Sequence, residues 1–427
     1  MCGCKKSRWW VVLGAILIQL CLGAIYAWGA FTKALQDPAG AFQFTATQAQ
    51  MIFSAGLAAF AFTMIMAGKW QDKIGPRKVA LLGGVVLGAG YLLAGLFGGT
   101  SFWNMFFYVG IIGGVGIGLG YVCPIAACVK WFPDLKGFVT GLAVAGFGAG
   151  AFIFVKLAGD WGGLLSTHGV NGTFTIFGII FLVAVVLGAL LLSNPPAGYV
   201  PAGWTPSVKK DTGVANGDKD FTQSEAIRTP QFWMLWLSFV FSSGAGLMVI
   251  GCLKNFGELE CSLTPVVAAS ALGLLALFNG AGRIVWGAVS QKLGARKSIG
   301  IMTLLQAVML FVLYKIGGSS AYLTVAACWI GFNFGGNFAL FPLATAESFG
   351  TKNLGANYGA LFTSYGVGGI IMPILAGRAW DLFGSYLWAF VVAGVICVIA
   401  SILAFTVKPP HHCAAVEKEP KKCCCCG

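Results

Sequence analysis

Twelve apolar runs of about 20 residues or more divide the chain, each long enough at ~1.5 Å per residue to cross a ~30 Å hydrocarbon core. They fall near 9–32, 47–68, 77–99, 102–125, 137–158 and 173–193, then near 231–253, 265–290, 297–317, 320–343, 356–377 and 386–407. Inside lipid every backbone N–H and C=O needs an internal partner, so runs of this kind fold as helices. The sequence therefore predicts an all-α membrane protein with 12 transmembrane helices. A composition of 58% hydrophobic and 10% charged residues excludes a soluble multidomain enzyme. The first run, from Trp9 to about Phe31, is of spanning length and lacks a clear processing site, so it is read as a span.

Residues 194–229 form the one long polar interior stretch, rich in Pro, Gly and clustered charge. It reads as a linker between two groups of six helices, 9–193 and 230–407, with tails at 1–8 and 408–427. Of the 27 Lys and Arg, 21 fall on the side of the termini and linker when the loops are sorted alternately. The other side holds Lys33, Lys156, Lys254, Lys315 and Arg378. The positive-inside rule then places both termini in the cytoplasm of a multi-pass protein of the cytoplasmic membrane. That distribution accounts for the formal charge of +13, and nucleic acid is dropped as a partner. Cys21, Cys123, Cys128, Cys252, Cys328 and Cys397 lie in apolar runs as small hydrophobes, with Cys261 in an outer loop. Cys2, Cys4, Cys413 and Cys423–Cys426 sit in the tails, where an unstructured segment is expected rather than a metal site.

The halves carry an internal repeat. Gly68-Lys-Trp-Gln-Asp72-Lys73-Ile-Gly75-Pro-Arg77-Lys78 follows the second run, and Gly287-Ala-Val-Ser-Gln291-Lys292-Leu-Gly294-Ala-Arg296-Lys297 follows the eighth with identical spacing. Two similar halves in parallel sense imply a central cavity between them. The remaining cation, Arg283, sits within ALGLLALFNGAGRIVWGAV. A charge at the bilayer centre costs at least ~2.5–3.5 kcal/mol on insertion scales and is rare without a use. Arg283 precedes Lys292 by a ~13.5 Å helical rise, which puts it near the midplane. Asn279 lies one turn earlier on the same face. A guanidinium that stays protonated, with a planar fork suited to a carboxylate, suggests a site for a small organic anion.

The repeated G-x-x-x-D/Q-K-x-G-x-R-K loop in a 6+6 arrangement resembles the signature loops of the major facilitator superfamily. That resemblance implies the major facilitator fold of two six-helix halves and a gating role for Asp72, Arg77, Lys78, Gln291, Arg296 and Lys297. Gln291 replaces the acid in the second copy, which should make that copy weaker. Gly23-Ala-Ile-Tyr26-Ala-Trp28, Trp131-Phe-Pro-Asp134-Leu-Lys136-Gly137, Arg228-Thr-Pro-Gln-Phe232-Trp233, Phe278-Asn279-Gly280-Ala-Gly-Arg283 and Asn357-Tyr358-Gly359 are similar to motifs of the oxalate/formate antiporter family, which includes lactate-type monocarboxylate carriers. Oxalate-type members carry a Lys on helix 11; the matching residue here is Tyr365. One cation balances one negative charge, and a second unpaired carboxylate in a low-dielectric site is costly. A monocarboxylate is thus expected over oxalate.

The same correspondence puts Tyr26, Trp28, Tyr121, Phe147, Phe334, Phe338 and Phe362 near the cavity, as an apolar cage with a few polar handles. Taken singly, an aromatic in a span more often serves packing. Asn333 and Asn337, one turn apart, line the cavity or bond between helices. The expected activity is secondary transport of a small monocarboxylate by alternating access, coupled to a proton; the alternatives are an oxalate/formate-type anion exchanger and a non-transporting anion sensor. Glu258 and Glu260 are the nearest acids for proton coupling, and a surface-loop role fits them equally. No His, Asp or Glu cluster marks an enzyme, metal or cofactor site, and a monomer is expected.

Overall fold

Each apolar run of the sequence becomes a helix in the computed structural model, which describes residues 7–159, 161–196, 198–201, 220–316 and 318–408. Twelve helices among these residues are long and apolar enough to cross a membrane. They are α1 (Trp9–Trp28), α2 (Met51–Ile74), α3 (Pro76–Phe97), α4 (Phe102–Trp131), α5 (Lys136–Ala158) and α6 (Leu164–Leu191), then α7 (Pro230–Leu253), α8 (Val266–Leu293), α9 (Ala295–Ile316), α10 (Ser320–Phe349), α11 (Leu354–Trp380) and α12 (Leu387–Thr406). No strand occurs among the described residues. The terminal cysteines and Lys209, Lys210 and Lys219 lie outside the described residues.

Several ends depart from the expected bounds for one reason: a helix outlasts the apolar segment that announces it. α4 continues to Trp131 past Lys130, and α10 to Phe349 past Glu347. α6 starts at Leu164 in a polar stretch and is interrupted by the non-helical backbone of Gly169. α1 tightens into a 3-10 turn over Gly23–Trp28, and α4 widens into a π-helical segment over Phe106–Gly113.

The repeat read from the loops is also a repeat of packing. In the first six helices α1 packs on α5, α2 on α4 and α3 on α6; in the second six α7 packs on α11, α8 on α10 and α9 on α12. Both copies of the loop turn on a glycine with positive φ, Gly75 at 89° and Gly294 at 80°, where an L side chain is strained. Beyond each turn an arginine fastens the last helix of its own half. Arg77 Nε donates to the Leu192 carbonyl at 3.0 Å, and Arg296 Nη1 to that of Val407 at 2.8 Å. Lys78 and Lys297 are exposed.

The halves meet through α2 with α11 and α5 with α8. These meetings are backbone against backbone. A Cβ at Gly68 would lie 2.0 Å from the Gly355 carbonyl oxygen, and one at Gly141 would lie 2.4 Å from that of Arg283. Small residues let helices approach this closely where lipid supplies no hydrophobic drive for association. The contacts lie in the part of each helix nearest the basic loops, so the molecule is closed on that face. Gly68→Val should therefore push the halves apart there by at least the about 1.5 Å needed to restore van der Waals separation. Spin labels at positions 73 and 352 should report a longer mean distance than in the parent; an unchanged distance would count against closure at this contact.

Candidate binding site

Asn279 and Arg283 stand one turn apart on α8, where the helix turns its face toward the other half. Arg283 is fully buried, the largest side chain to be so. Its Nε donates to Asn279 Oδ1 at 3.0 Å, and its Nη1 donates across the interface to the Val144 carbonyl of α5 at 2.8 Å. Nη2 is buried without a hydrogen-bond partner. Among the described residues no carboxylate pairs with this guanidinium. Aromatic faces take up part of the charge: Cζ lies 4.3 Å from the Phe338 ring centroid and 5.4 Å from that of Phe147. The sequence suggested a fork open for two-point capture of a carboxylate. Asn279 takes Nε on one edge of that fork and Val144 takes Nη1 on the other, which leaves Nη2, the nitrogen both edges share.

Aromatic rings from both halves close around this point. Phe147 of α5 lies 5.5 Å from Tyr26 and 5.4 Å from Tyr121, centroid to centroid. Phe362 of α11 reaches across to Tyr121 at 5.4 Å, and Phe338 of α10 lies 5.4 Å from Tyr365. The Tyr26 and Tyr365 hydroxyls hydrogen-bond to each other, joining α1 to α11. Tyr26 is partly exposed whereas Tyr365 is buried, and both lie within electrostatic reach of Arg283. The Tyr121 hydroxyl is buried and unpartnered.

Two residues of this cluster were not among the sequence candidates. Phe60 of α2 lies 5.1 Å from both Tyr121 and Phe362, and nothing distinguishes it from other apolar residues of its run. Tyr358 of α11 is wholly buried with an unpartnered hydroxyl near that of Tyr121. Its polar handle inside a span, the mark that drew attention to Tyr26 and Tyr121, was the available signal.

Other candidates are placed elsewhere. Trp28 stacks among Phe31 and Phe174 and donates to the Ala49 carbonyl at 3.0 Å, all within the first half. Asn333 accepts from Trp286 Nε1 at 3.2 Å, between α10 and α8. Phe334 packs against Gly246 of α7 and edges Phe338 at 5.4 Å, a second layer of the cage. Asn337 accepts from Ser242 Oγ at 2.6 Å, tying α10 to α7. Glu260 accepts from Ser385 Oγ at 2.9 Å and from the Tyr386 amide at 2.6 Å, holding the chain after α7 to the start of α12. Glu258 lies in the same π-helical turn, Phe256–Glu260, beyond the end of α7.

On the basic face the acid of the first repeat crosses the interface. Asp72 Oδ2 accepts the Ala356 amide at 2.8 Å, and Oδ1 lies 3.7 Å from Lys130 Nζ. It thus caps α11, whose unpaired N–H groups carry partial positive charge. The linker end caps the same terminus from the other side: Asp220 accepts the Lys352 amide at 2.9 Å, and the Phe221 carbonyl accepts from Asn353 and Asn357. In the second copy Gln291 is exposed, with its stem against Gly137 and no side-chain hydrogen bond among the described residues. Glu347 supplies a carboxylate instead, accepting the Ala295 amide at 3.1 Å within its own half. The Trp131–Gly137 motif is anchored by Arg8, whose two nitrogens meet the Asp134 carboxylate at 2.6 and 2.7 Å. That hydrogen-bonded pairing holds the Asp134 carboxyl below its ordinary value and raises the guanidinium.

Two six-helix halves with one packing scheme, closing over a cation, define a membrane transporter rather than an enzyme. The chain belongs to the Major Facilitator Superfamily, whose sequence profile matches residues 8–256 and 251–422. It is 32% identical over 369 residues to the uncharacterized MFS-type transporter YhjX of Escherichia coli (strain K12), covering 86% of this chain and 87% of that one. It is 28% identical to the oxalate:formate antiporter of Oxalobacter formigenes (95% and 93% covered) and 26% identical to monocarboxylate transporter 13 of Rattus norvegicus (94% and 89%). Among solved structures, the proton:xylose symporter XylE superposes with a TM-score of 0.68 at 14% identity, covering 93% of this chain and 95% of that one. FucP in its outward conformation gives 0.65 at 18% identity, with 93% and 99% covered. At such identities the two structures speak for the fold alone.

An arginine retained for packing and one retained for a ligand respond differently to a neutral side chain of similar length. An unneutralised charge buried in a low-dielectric site costs folding free energy that an apolar side chain of similar length does not. Arg283→Met should therefore raise the melting temperature of the substrate-free protein. A clear fall would mark the guanidinium as structural.

Proposed function

We propose that the protein is a secondary carrier for a small monocarboxylate, working across the cytoplasmic membrane by alternating access. The observation that carries this reading is the buried guanidinium of Arg283, which lies between the halves with Nη2 unpartnered and no carboxylate beside it. A carboxylate on Nη2 neutralises a charge that the empty protein must keep in a low-dielectric setting. The close ring packing around Arg283 suits a short, compact acid. The relatives that transport oxalate, formate or monocarboxylates by name agree with such a substrate.

In this reading the basic face and both termini are cytoplasmic, by the positive-inside rule. Asp72 on α11 and the glycine contacts then form the inner gate, and the Tyr26–Tyr365 bridge the outer one. Rocking of one half against the other breaks one set while the other holds. For coupling, the neutral surroundings of Arg283 favour exchange against a counter-anion, because an empty carrier with a bare cation reorients poorly. Proton uptake together with the anion is the second mode. Glu260, bound to Ser385 and Tyr386, gives it little support as an acid of the site.

Uptake of labelled lactate, pyruvate, formate and oxalate into proteoliposomes, with and without a pH gradient, tests this directly. Monocarboxylate uptake should exceed oxalate uptake at least about tenfold, a difference of about 1.4 kcal/mol. Internal anion should accelerate it more than an imposed gradient. Strong oxalate exchange without monocarboxylate uptake would overturn the assignment. Tyr365→Lys adds a second cation beside Arg283 and should tighten oxalate binding about tenfold or more, read by titration calorimetry; unchanged affinity would remove Tyr365 from the site.

A further inference from the structure

We infer that Tyr358 is a specificity-determining residue: with Tyr121 it offers two hydroxyls to an oxygen on the carbon next to the carboxylate that Arg283 holds. The inference rests on the proposed function and refines which short acids the site selects. Tyr121 belongs to α4 in the first half and Tyr358 to α11 in the second, so the pair spans the interface. Both side chains are essentially inaccessible, and both hydroxyls are buried without a hydrogen-bond partner. The two hydroxyls face each other at the margin of hydrogen-bond distance, where a weak mutual bond uses one donor of the pair and leaves the other free, and both lie within electrostatic reach of Arg283. Their surroundings are rings: Phe60 and Phe362 beside Tyr121, and Phe362 beside Tyr358 at 5.7 Å.

A buried hydroxyl with no partner is destabilising, and Phe fills the same space without that cost. A mutual contact uses at most one of their two O–H donors, so tyrosine at both positions implies an acceptor that arrives with the substrate. The other polar groups of the site are already engaged. Tyr26 and Tyr365 bond to each other, and Nε and Nη1 of Arg283 are taken by Asn279 and Val144. Beside Arg283 this leaves Nη2 and one donor of the hydroxyl pair; the other unpartnered atoms nearby, Gln19 Oε1 and Asn333 Nδ2, belong to side chains already bonded to the Tyr121 carbonyl and to Trp286. A carboxylate answers Nη2. An unsubstituted short fatty acid leaves the hydroxyls short of acceptors, whereas a hydroxyl or keto oxygen beside the carboxylate supplies one. Sites built to hydrogen-bond a substrate oxygen reject the analogue lacking it, because their own buried groups stay unpaired.

The test compares matched acids that differ by that one oxygen, glycolate against acetate and lactate against propionate, on the full-length protein. Uptake is measured in proteoliposomes, and binding by thermal shift in detergent, for the parent, Tyr358→Phe and Tyr121→Phe. The parent should prefer the oxygenated member of each pair about tenfold, and each Phe variant should bring that ratio toward one. Folded variants that bind but do not transport still report the ratio through the thermal shift. A parent ratio near one, or a ratio unchanged in both variants, overturns the inference while leaving monocarboxylate transport in place. No monocarboxylate uptake or binding by the parent overturns the proposed function and this inference with it.

Discussion

A guanidinium held between two halves by neutral acceptors is the interaction on which the rest of this molecule turns. Asn279 and the Val144 carbonyl fix the position of Arg283 without neutralising it, and Phe338 and Phe147 soften the charge without removing it. Because Val144 belongs to the opposite half, the bond also registers the halves against each other at mid-helix. Positioning and charge balance are thus separated: the protein supplies the first and leaves the second open. A structural ion pair, in which one protein group does both, leaves no such opening, and the proposed carboxylate site rests on it.

Around this centre the two halves are alike in architecture and unlike in chemistry. The helix pairings match, the glycine turns match, and each loop arginine fastens the last helix of its own half. The acids do not match. Asp72 crosses to the other half, whereas Glu347 stays within its own and Gln291 bonds to neither. The contact between halves on the basic face is therefore electrostatically one-sided, strong at α2–α11 and reliant on close backbone packing at α5–α8.

The fold was legible in the sequence because hydrocarbon imposes length and hydropathy on each span, and because the loop repeat gave the pseudo-symmetry outright. Helix ends were less legible: α4 and α10 continue through residues whose polarity places them at the rim of the hydrocarbon but does not stop a helix. Within the site, Arg283 and Asn279 could be paired from spacing alone. The Val144 contact could not, since a backbone carbonyl leaves no mark on residue identity. Trp28 shows the opposite failure, and Asn333 takes the interhelical one of its two readings: a polar or aromatic residue at the right depth can face either the interface or its own bundle, and local spacing does not say which. Tyr358 was present in a recognised motif, yet its orientation toward Tyr121 depends on how two separate halves dock.

The start of α11 is served from two directions, by Asp72 from the far half and by the linker end around Asp220 from its own. When the halves part on that face, the Asp220 grip travels with α11, and only the amides at Gly355 and Ala356 lose their acceptor. Water then takes over two donors rather than a whole frayed turn. The helix can remain wound as this face opens, so the work of opening it is chiefly that of wetting a carboxylate and a pair of peptide groups. Such a term responds to the ionic strength of the adjoining compartment, so closure of this face depends on its bathing solution in a way that the buried contacts of Arg283 do not.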